Sequence, residues 1–327
     1  MLVALTDPID PAGEALLRAA GHDVQLSGSG GLDALLARAD AVVVRRKLPD
    51  DLAARAPRLL GAIRQGVGLD MIPVENCTAH GILVANVPGA NADSVAEFAI
   101  AQMLASLRHV EAMHAQLLAE GWETARARTA TASELRGRTL GIVGVGAIGT
   151  RLAEIAKYGF HMRVLGYRRD RSALPDEVEY AALDDLFAAS DFIVLACPLT
   201  EQTRGLASAA RIARMKPDAW ILNVARGPVI DGEALLLALR EGRIGGAALD
   251  VFDAQPLAPD HPLRTLPNVI LTPHSAGLSQ EAVVRMSTGA AEETIRILAG
   301  ERPRNFANPE AWDASRARRQ AMEAAAP

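Results

Sequence analysis

No uninterrupted apolar run in the sequence approaches the roughly 20 residues that a membrane-spanning helix needs, which excludes an integral membrane helix and makes a membrane an unexpected partner. The opening segment MLVALTDPIDPAGEALL has no basic residue ahead of its apolar stretch and soon meets Asp7 and Pro8. It lacks the plan of a secretory signal, so a cytoplasmic location is expected. Cysteine is equally scarce. Cys77 and Cys197 lie far apart and form no C-x-x-C or Cys/His cluster, so both are expected to be buried thiols, with no disulfide framework and no metal site. Positive charge is not in excess: 34 Lys and Arg face 39 Asp and Glu, a net charge of -5 that offers no global attraction to phosphate backbones. Nucleic acid is therefore not an expected partner. Aromatics are few, at 4% of residues, whereas half of the chain is hydrophobic and dominated by Ala, Leu, Val and Gly, the usage of a well-packed α/β protein.

At 327 residues the chain exceeds one core of about 100 to 200, so two domains with a cleft between them are expected. Short β-branched runs, among them Leu2 to Leu5, Ala41 to Val44, Leu59 to Arg64, Ile82 to Ala85 and Thr139 to Val143, alternate with helix-period segments. That alternation predicts parallel sheets with crossover helices. Ser94 and Glu97 have the spacing of a capping box opening a long helix that leaves the first domain. Ser279 to Ala299 has helical spacing and can return the chain to it, which makes the first domain discontinuous. The expected parts are residues 1–98, an inserted domain 99–279, and 280–327, of which the last twenty residues read as a surface helix or a frayed tail.

The strand Thr139 to Val143 runs directly into Gly144, Gly146 and Gly149 and then into the helix-period segment Thr150 to Tyr158. This is a dinucleotide fingerprint in its required context. The first glycine permits the tight turn, the second lets backbone approach a pyrophosphate, and the third lets helix pack on strand. Orphan N–H groups at the helix start then receive the diphosphate. The inserted domain thus reads as an NAD(P)-binding Rossmann domain. An NAD-selective domain places an acid at the end of the next strand, here Met162 to Tyr167, but that position is Arg168, followed by Arg169 and Arg171. Guanidinium groups suit a 2′-phosphate, so NADP is favoured over NAD. The open alternative is that these arginines are solvated and Asp170 takes the ribose.

Hydride transfer to a carbonyl acid needs a cation to hold the carboxylate and polarise the carbonyl, and an acid to protonate the alkoxide. Two residues at the ends of apolar strands qualify. Arg226 follows Trp220 to Val224, and His274 follows Val269 to Thr272 and Pro273, where parallel sheets bind ligands. Arg45 and Arg46, ending the strand Ala41 to Val44, read either as a solvated pair or as partners for a second anionic group on the substrate.

These segments fall in an ordered series that resembles the D-isomer-specific 2-hydroxyacid dehydrogenase family. It runs Gly66-Val-Gly-Leu-Asp70, Asn91-Ala-Asp-Ser-Val-Ala-Glu97, Val143-Gly-Val-Gly-Ala-Ile-Gly149, Pro198-Leu-Thr200, Met215-Lys-Pro217, Asn223-Val-Ala-Arg-Gly227, Leu249-Asp-Val-Phe252 and Thr272-Pro-His-Ser-Ala-Gly277. The resemblance covers most of the chain. It implies two Rossmann-like doubly wound domains and an enzyme interconverting small 2-oxo and 2-hydroxy acids, with glyoxylate and hydroxypyruvate the commonest substrates. It further implies that Arg226 clamps the substrate, His274 is the acid/base, Asp250 orients the nicotinamide carboxamide and the Val67 and Gly68 N–H groups hold the carboxylate. Cofactor contacts at Ala147, Ile148, Cys197 and Pro198, and a homodimer formed through the nucleotide domains, complete what it implies.

One departure stands out. Where the family motif after Asp-Val-Phe has a glutamate paired with the histidine, this chain has Gln255. A carboxylate raises the histidine pKa; an amide only orients the ring, so carbonyl reduction is expected to fade at lower pH than in glutamate-bearing relatives. Formate dehydrogenases, which look like distant members of the family, also carry glutamine here, and formate oxidation needs no proton transfer. A formate enzyme therefore stays open, as does a dinucleotide-sensing binding protein like the family's corepressors. Retention of both Arg226 and His274 argues for the enzyme.

Overall fold

The computed structural model describes residues 1–28 and 31–324. These form two compact units, the described parts of residues 1–91 with 278–324, and residues 92–277. Each is built on one parallel sheet. In the first the order is β2-β1-β3-β4-β5, from Leu2–Leu5 (β1), Asp23–Leu26 (β2), Ala41–Val44 (β3), Gly61–Arg64 (β4) and Leu83–Ala85 (β5). In the second it is β12-β11-β10-β9-β6-β7-β8. The strands are Thr139–Val143 (β6), Arg163–Tyr167 (β7), Glu179–Tyr180 (β8), Phe192–Leu195 (β9), Trp220–Asn223 (β10), Gly246–Leu249 (β11) and Val269–Leu271 (β12).

The near-continuous apolar strands are explained by burial on both faces. In β9, Ile193 and Leu195 enter one core cluster while Phe192 and Val194 enter the other. In β1 and β3, Val3, Leu5, Ala41 and Val43 face one layer, and Ala4, Val42 and Val44 the opposite one. Side chains alternate across a strand, so a sheet with helices on both sides needs apolar residues at every position. Each sheet reverses its strand order once, between β1 and β3 in the first unit and between β6 and β9 in the second. Such reversals leave a crevice at the carboxyl ends of the strands.

The helices depart from the sequence reading at their ends. The helix Ala92–Arg108 begins two residues before Ser94. Ser94 therefore sits inside the first turn, and its hydroxyl donates to the Ala276 carbonyl at 2.7 Å instead of opening a capping box. The helix after the glycines is Ala147–Glu154, starting at the glycine loop itself and continuing as a wider turn over Ile155–Gly159. The helix Gln280–Leu298 is N-capped by the Ser279 hydroxyl, and the C-terminal stretch forms a helix over Trp312–Ala324. None of the helices among the described residues is long and apolar enough to cross a membrane.

Candidate active site

The carboxyl ends of β6 and β9 meet at the strand reversal of the second unit, and the glycines make that meeting possible. Gly144 has φ +98, a conformation that costs other residues energy, and a side-chain carbon there would lie 2.6 Å from the Cys197 Cα. At Gly149 such a carbon would lie 2.7 Å from the Gly144 carbonyl oxygen, so only glycine lets the helix seat on the loop. Gly146 differs: a carbon there meets nothing within 4 Å. It is the N-cap of Ala147–Glu154, offers no side-chain acceptor, and no acid follows in the first turn. The N–H groups of that turn, with Ala147 exposed and Ile148 half-buried, thus border open space at the positive end of the helix dipole. A dinucleotide diphosphate fits this cradle, since it supplies the acceptor that the chain omits. Beside it Cys197 is buried, and burial pushes its thiol up to about 11; the adjoining Pro198 is exposed.

The arginine loop after β7 is sorted by its contacts. The Arg168 guanidinium folds back, donating to the Val145 carbonyl of the glycine loop at 2.9 Å and to the Ala173 carbonyl at 2.7 Å. Asp170 accepts from the Ser172 N–H at 3.0 Å and its hydroxyl at 2.6 Å, contacts that hold its carboxyl below the usual carboxylate range. It caps the short turn Arg171–Ala173 through Oδ1 alone, to which both Ser172 bonds go. Arg171 lies over the Tyr180 ring at 3.8 Å. Arg169 is exposed and its side chain makes no hydrogen bond or ion pair among the described residues.

On the other side of the reversal, Arg226, Asp250 and His274 follow β10, β11 and β12, three neighbouring strands. Asn223 shapes the first loop: its side chain donates to the Arg226 carbonyl at 2.9 Å and accepts from the Ala225 N–H at 3.0 Å. Gly227 lets that loop press on the next, because a carbon there would fall 2.1 Å from the Phe252 carbonyl carbon. Asp250, 1% exposed, buckles the histidine loop. One carboxylate oxygen accepts from the Thr272 hydroxyl and the Ser275 N–H, each at 2.8 Å, and the other from the Ala276 N–H at 3.0 Å. Its carbonyl accepts the His274 N–H at 2.8 Å, and His274 is held at φ +55, a left-handed conformation uncommon for a residue with a side chain. Strain of this kind persists where surrounding bonds over-determine it.

Gln255 completes the set. Its amide nitrogen donates to the Phe252 carbonyl at 3.3 Å, which turns its oxygen toward His274 Nδ1 at 2.9 Å. A carbonyl oxygen can only accept, so the ring carries its proton on Nδ1 and its Nε2 is the atom left to exchange one. A residue with no assigned role in the sequence also contributes. Gln102, buried on the helix Ala92–Arg108, donates to the Thr272 hydroxyl at 3.3 Å and backs the Asp250 network. Its signal was a polar residue on the apolar face of a helix, between Ala99 and Met103.

In the first unit, the loop after β4 has its carbonyls engaged. The Val67 carbonyl accepts from Asn86 at 2.7 Å and the Gly68 carbonyl from Arg64 at 3.2 Å, while the Val67 and Gly68 N–H groups have no partner among the described residues. Arg45 and Arg46 depart from the pocket reading. Arg45 donates to the Pro8 carbonyl, and Arg46 pairs with Asp7 at 3.0 Å and with the Thr6 carbonyl, so both close over the β1 loop.

A glycine cradle at a strand reversal, with an arginine and an oriented histidine on strands either side of β11, is the arrangement expected of a nicotinamide-dependent dehydrogenase of carbonyl acids. The comparisons agree. The pattern of the D-isomer specific 2-hydroxyacid dehydrogenase, NAD binding domain, matches residues 100–276, more than half of the chain. A glyoxylate reductase of Aeropyrum pernix is 42% identical over 270 residues, which cover 80% of this chain and 79% of that protein. Among solved structures, the NADPH-dependent glyoxylate/hydroxypyruvate reductase of Sinorhizobium meliloti superposes with TM-score 0.83 at 26% identity, covering 95% of this chain and 98% of that one. The NAD-dependent formate dehydrogenase of Staphylococcus aureus reaches 0.80 at 30% identity, over 92% and 96%. The chain belongs to the D-isomer-specific 2-hydroxyacid dehydrogenase family, NAD(P)-dependent oxidoreductases that interconvert 2-oxo and 2-hydroxy acids.

Proposed function

We propose that the protein is an NADPH-preferring reductase of small 2-oxo acids, glyoxylate and hydroxypyruvate among them. The observation that carries this reading is the His274–Gln255 contact of 2.9 Å, which leaves Nε2 as the proton-exchanging atom of a strained, over-determined loop. The bound nicotinamide supplies the hydride. Arg226 holds the substrate carboxylate and polarises its carbonyl, and His274 protonates the oxygen as charge develops on it. Asp250 positions the histidine loop through its bonds to Thr272, Ser275, Ala276 and His274, whatever it offers the cofactor besides. The unpartnered Val67 and Gly68 amides form an anion cradle of the kind a carboxylate fills.

NADPH is favoured by Arg169, an exposed guanidinium with no hydrogen bond or ion pair among the described residues. Asp170 keeps Oδ2 outside its Ser172 bonds, so NAD stays the alternative cofactor. A homodimer is part of the same reading. The helix Val110–Glu120 buries none of its residues, and Leu118 and Trp122 are 76% and 63% exposed, apolar surface that a second copy can cover. A cytoplasmic setting is supported by two free, buried cysteines.

The test is the initial rate of NADPH and NADH oxidation, side by side, with glyoxylate and with hydroxypyruvate. Faster oxidation of NADPH supports the reading in full, and equal rates remove the arginine argument. Reduction of NAD by formate without turnover of either 2-oxo acid replaces it with the formate enzyme. Dinucleotide binding with no turnover at all replaces it with a sensor.

A further inference from the structure

Beside His274 the second unit holds a cavity of about 570 Å3. Glyoxylate, with about five heavy atoms and no more than the ~30 Å3 that liquid water takes per heavy atom, needs only roughly 150 Å3. Arg226 does not line the cavity, so through His274 it offers space beyond the reacting end of a substrate, and that space has a definite character. His274 and Gln255 line one part, Phe252, Leu257 and Leu271 give apolar wall, and Arg264 is the one permanently charged residue in the lining. Arg264 makes no ion pair or side-chain hydrogen bond among the described residues. It is nevertheless well placed. It belongs to the tight turn Pro262–Thr265, pinned by Leu263, which enters the core at 8% exposure. The His261 ring accepts the Leu263 N–H at 3.3 Å, and the Thr265 hydroxyl donates to the Pro262 carbonyl at 3.0 Å, so both ends of the turn are tied.

An apolar chamber that contains the acid/base histidine and a single uncommitted guanidinium asks for a ligand with matching parts. The geometry points to a 2-oxo acid whose side chain runs several carbons beyond C3 and ends in an anionic group, with Arg264 as the residue that selects for that terminal charge. This inference rests on the reductase reading and names its preferred substrate class. A guanidinium fork takes a carboxylate by paired, charge-assisted hydrogen bonds, which at the exposed Arg264 are screened by salt. The methylenes between the two ends leave water for the walls of Phe252, Leu257 and Leu271.

The experiment compares 2-oxohexanoate with 2-oxohexanedioate, acids of equal length that differ only in the terminal carboxylate, as substrates for the full-length wild-type protein with NADPH. The expected result is a kcat/KM at least about tenfold higher for the diacid, carried mainly by KM and shrinking as salt is raised. In Arg264→Gln the ratio is expected to fall to near one, and in Arg264→Lys to survive in part because the charge remains. A wild-type ratio at or below one overturns the inference, as does a ratio that persists in Arg264→Gln. Turnover of glyoxylate with neither six-carbon acid also overturns it and leaves the reductase reading standing. Failure of all three acids removes both.

Discussion

The two sheets of this protein share one architecture and put it to opposite uses at their strand reversals. In the second unit the reversal between β6 and β9 is left open: Gly146 caps the helix Ala147–Glu154 with no side chain, and the first-turn N–H groups wait for an outside acceptor. In the first unit the reversal between β1 and β3 closes on itself. Asp10 caps the helix Pro11–Ala19 by accepting from the Ala12 N–H at 2.9 Å, while Arg45 bonds the Pro8 carbonyl and Arg46 pairs with Asp7 above β1. The comparison teaches that a doubly wound sheet does not bind a nucleotide by shape alone. What decides is whether the helix start keeps its own acceptor or lacks one.

That contrast can be broken by making the open end resemble the closed one. Gly146→Asp gives the helix an N-cap like Asp10 and sets a negative charge in the diphosphate cradle, where a side chain meets no protein atom. NADPH affinity measured by calorimetry is expected to fall on the order of a hundredfold, by the loss of charge-assisted bonds worth about 1.5 to 3 kcal/mol each. The melting temperature without cofactor should be unchanged or higher. An affinity that survives would mean that the cradle is not the phosphate site.

Two further substitutions sharpen the picture along the edge of the second sheet. Gln255→Glu places a carboxylate against His274 Nδ1, which favours the imidazolium and raises the pKa of the ring. The imidazolium is the form that donates a proton in reduction, so the activity lost as pH rises is lost later. The high-pH limb of kcat/KM should move up by about one unit. An unmoved limb would show that the amide already holds the ring as a carboxylate does. Arg169→Ala removes the uncommitted guanidinium and should lower the preference for NADPH over NADH by about tenfold, read from the two KM values. The smallest effect belongs to the closed reversal. Asp10→Ala deletes a cap in the first unit and should cost about 1 kcal/mol in a denaturant melt while NADPH affinity stays the same.

The same contrast explains what could be read from the sequence. Gly144 and Gly149 were legible because their demands, a left-handed turn and a close approach to Cys197 and to the loop, are properties of glycine itself. Arg226 and His274 were legible as loop residues after apolar strands and by family likeness, and Gln255 as the residue facing His274. Side-chain direction in loops was not. Arg168 turning back on Val145 and Ala173, Asp170 capping its own turn, and Arg45 and Arg46 closing over β1 depend on neighbours that linear spacing does not specify. Ser94 illustrates the limit most simply. Its spacing to Glu97 fits a cap, yet the helix starts two residues earlier and the hydroxyl goes to Ala276, far away in sequence.

We propose that His274 moves the proton in a reaction whose hydride comes from a cofactor bound elsewhere on the same sheet. It is tested most directly by measuring NADPH affinity and glyoxylate turnover in one preparation of His274→Ala. The account predicts turnover reduced by about 10² to 10⁴-fold, the usual contribution of a positioned acid, with NADPH affinity within about twofold of wild type. Turnover close to wild type would contradict it.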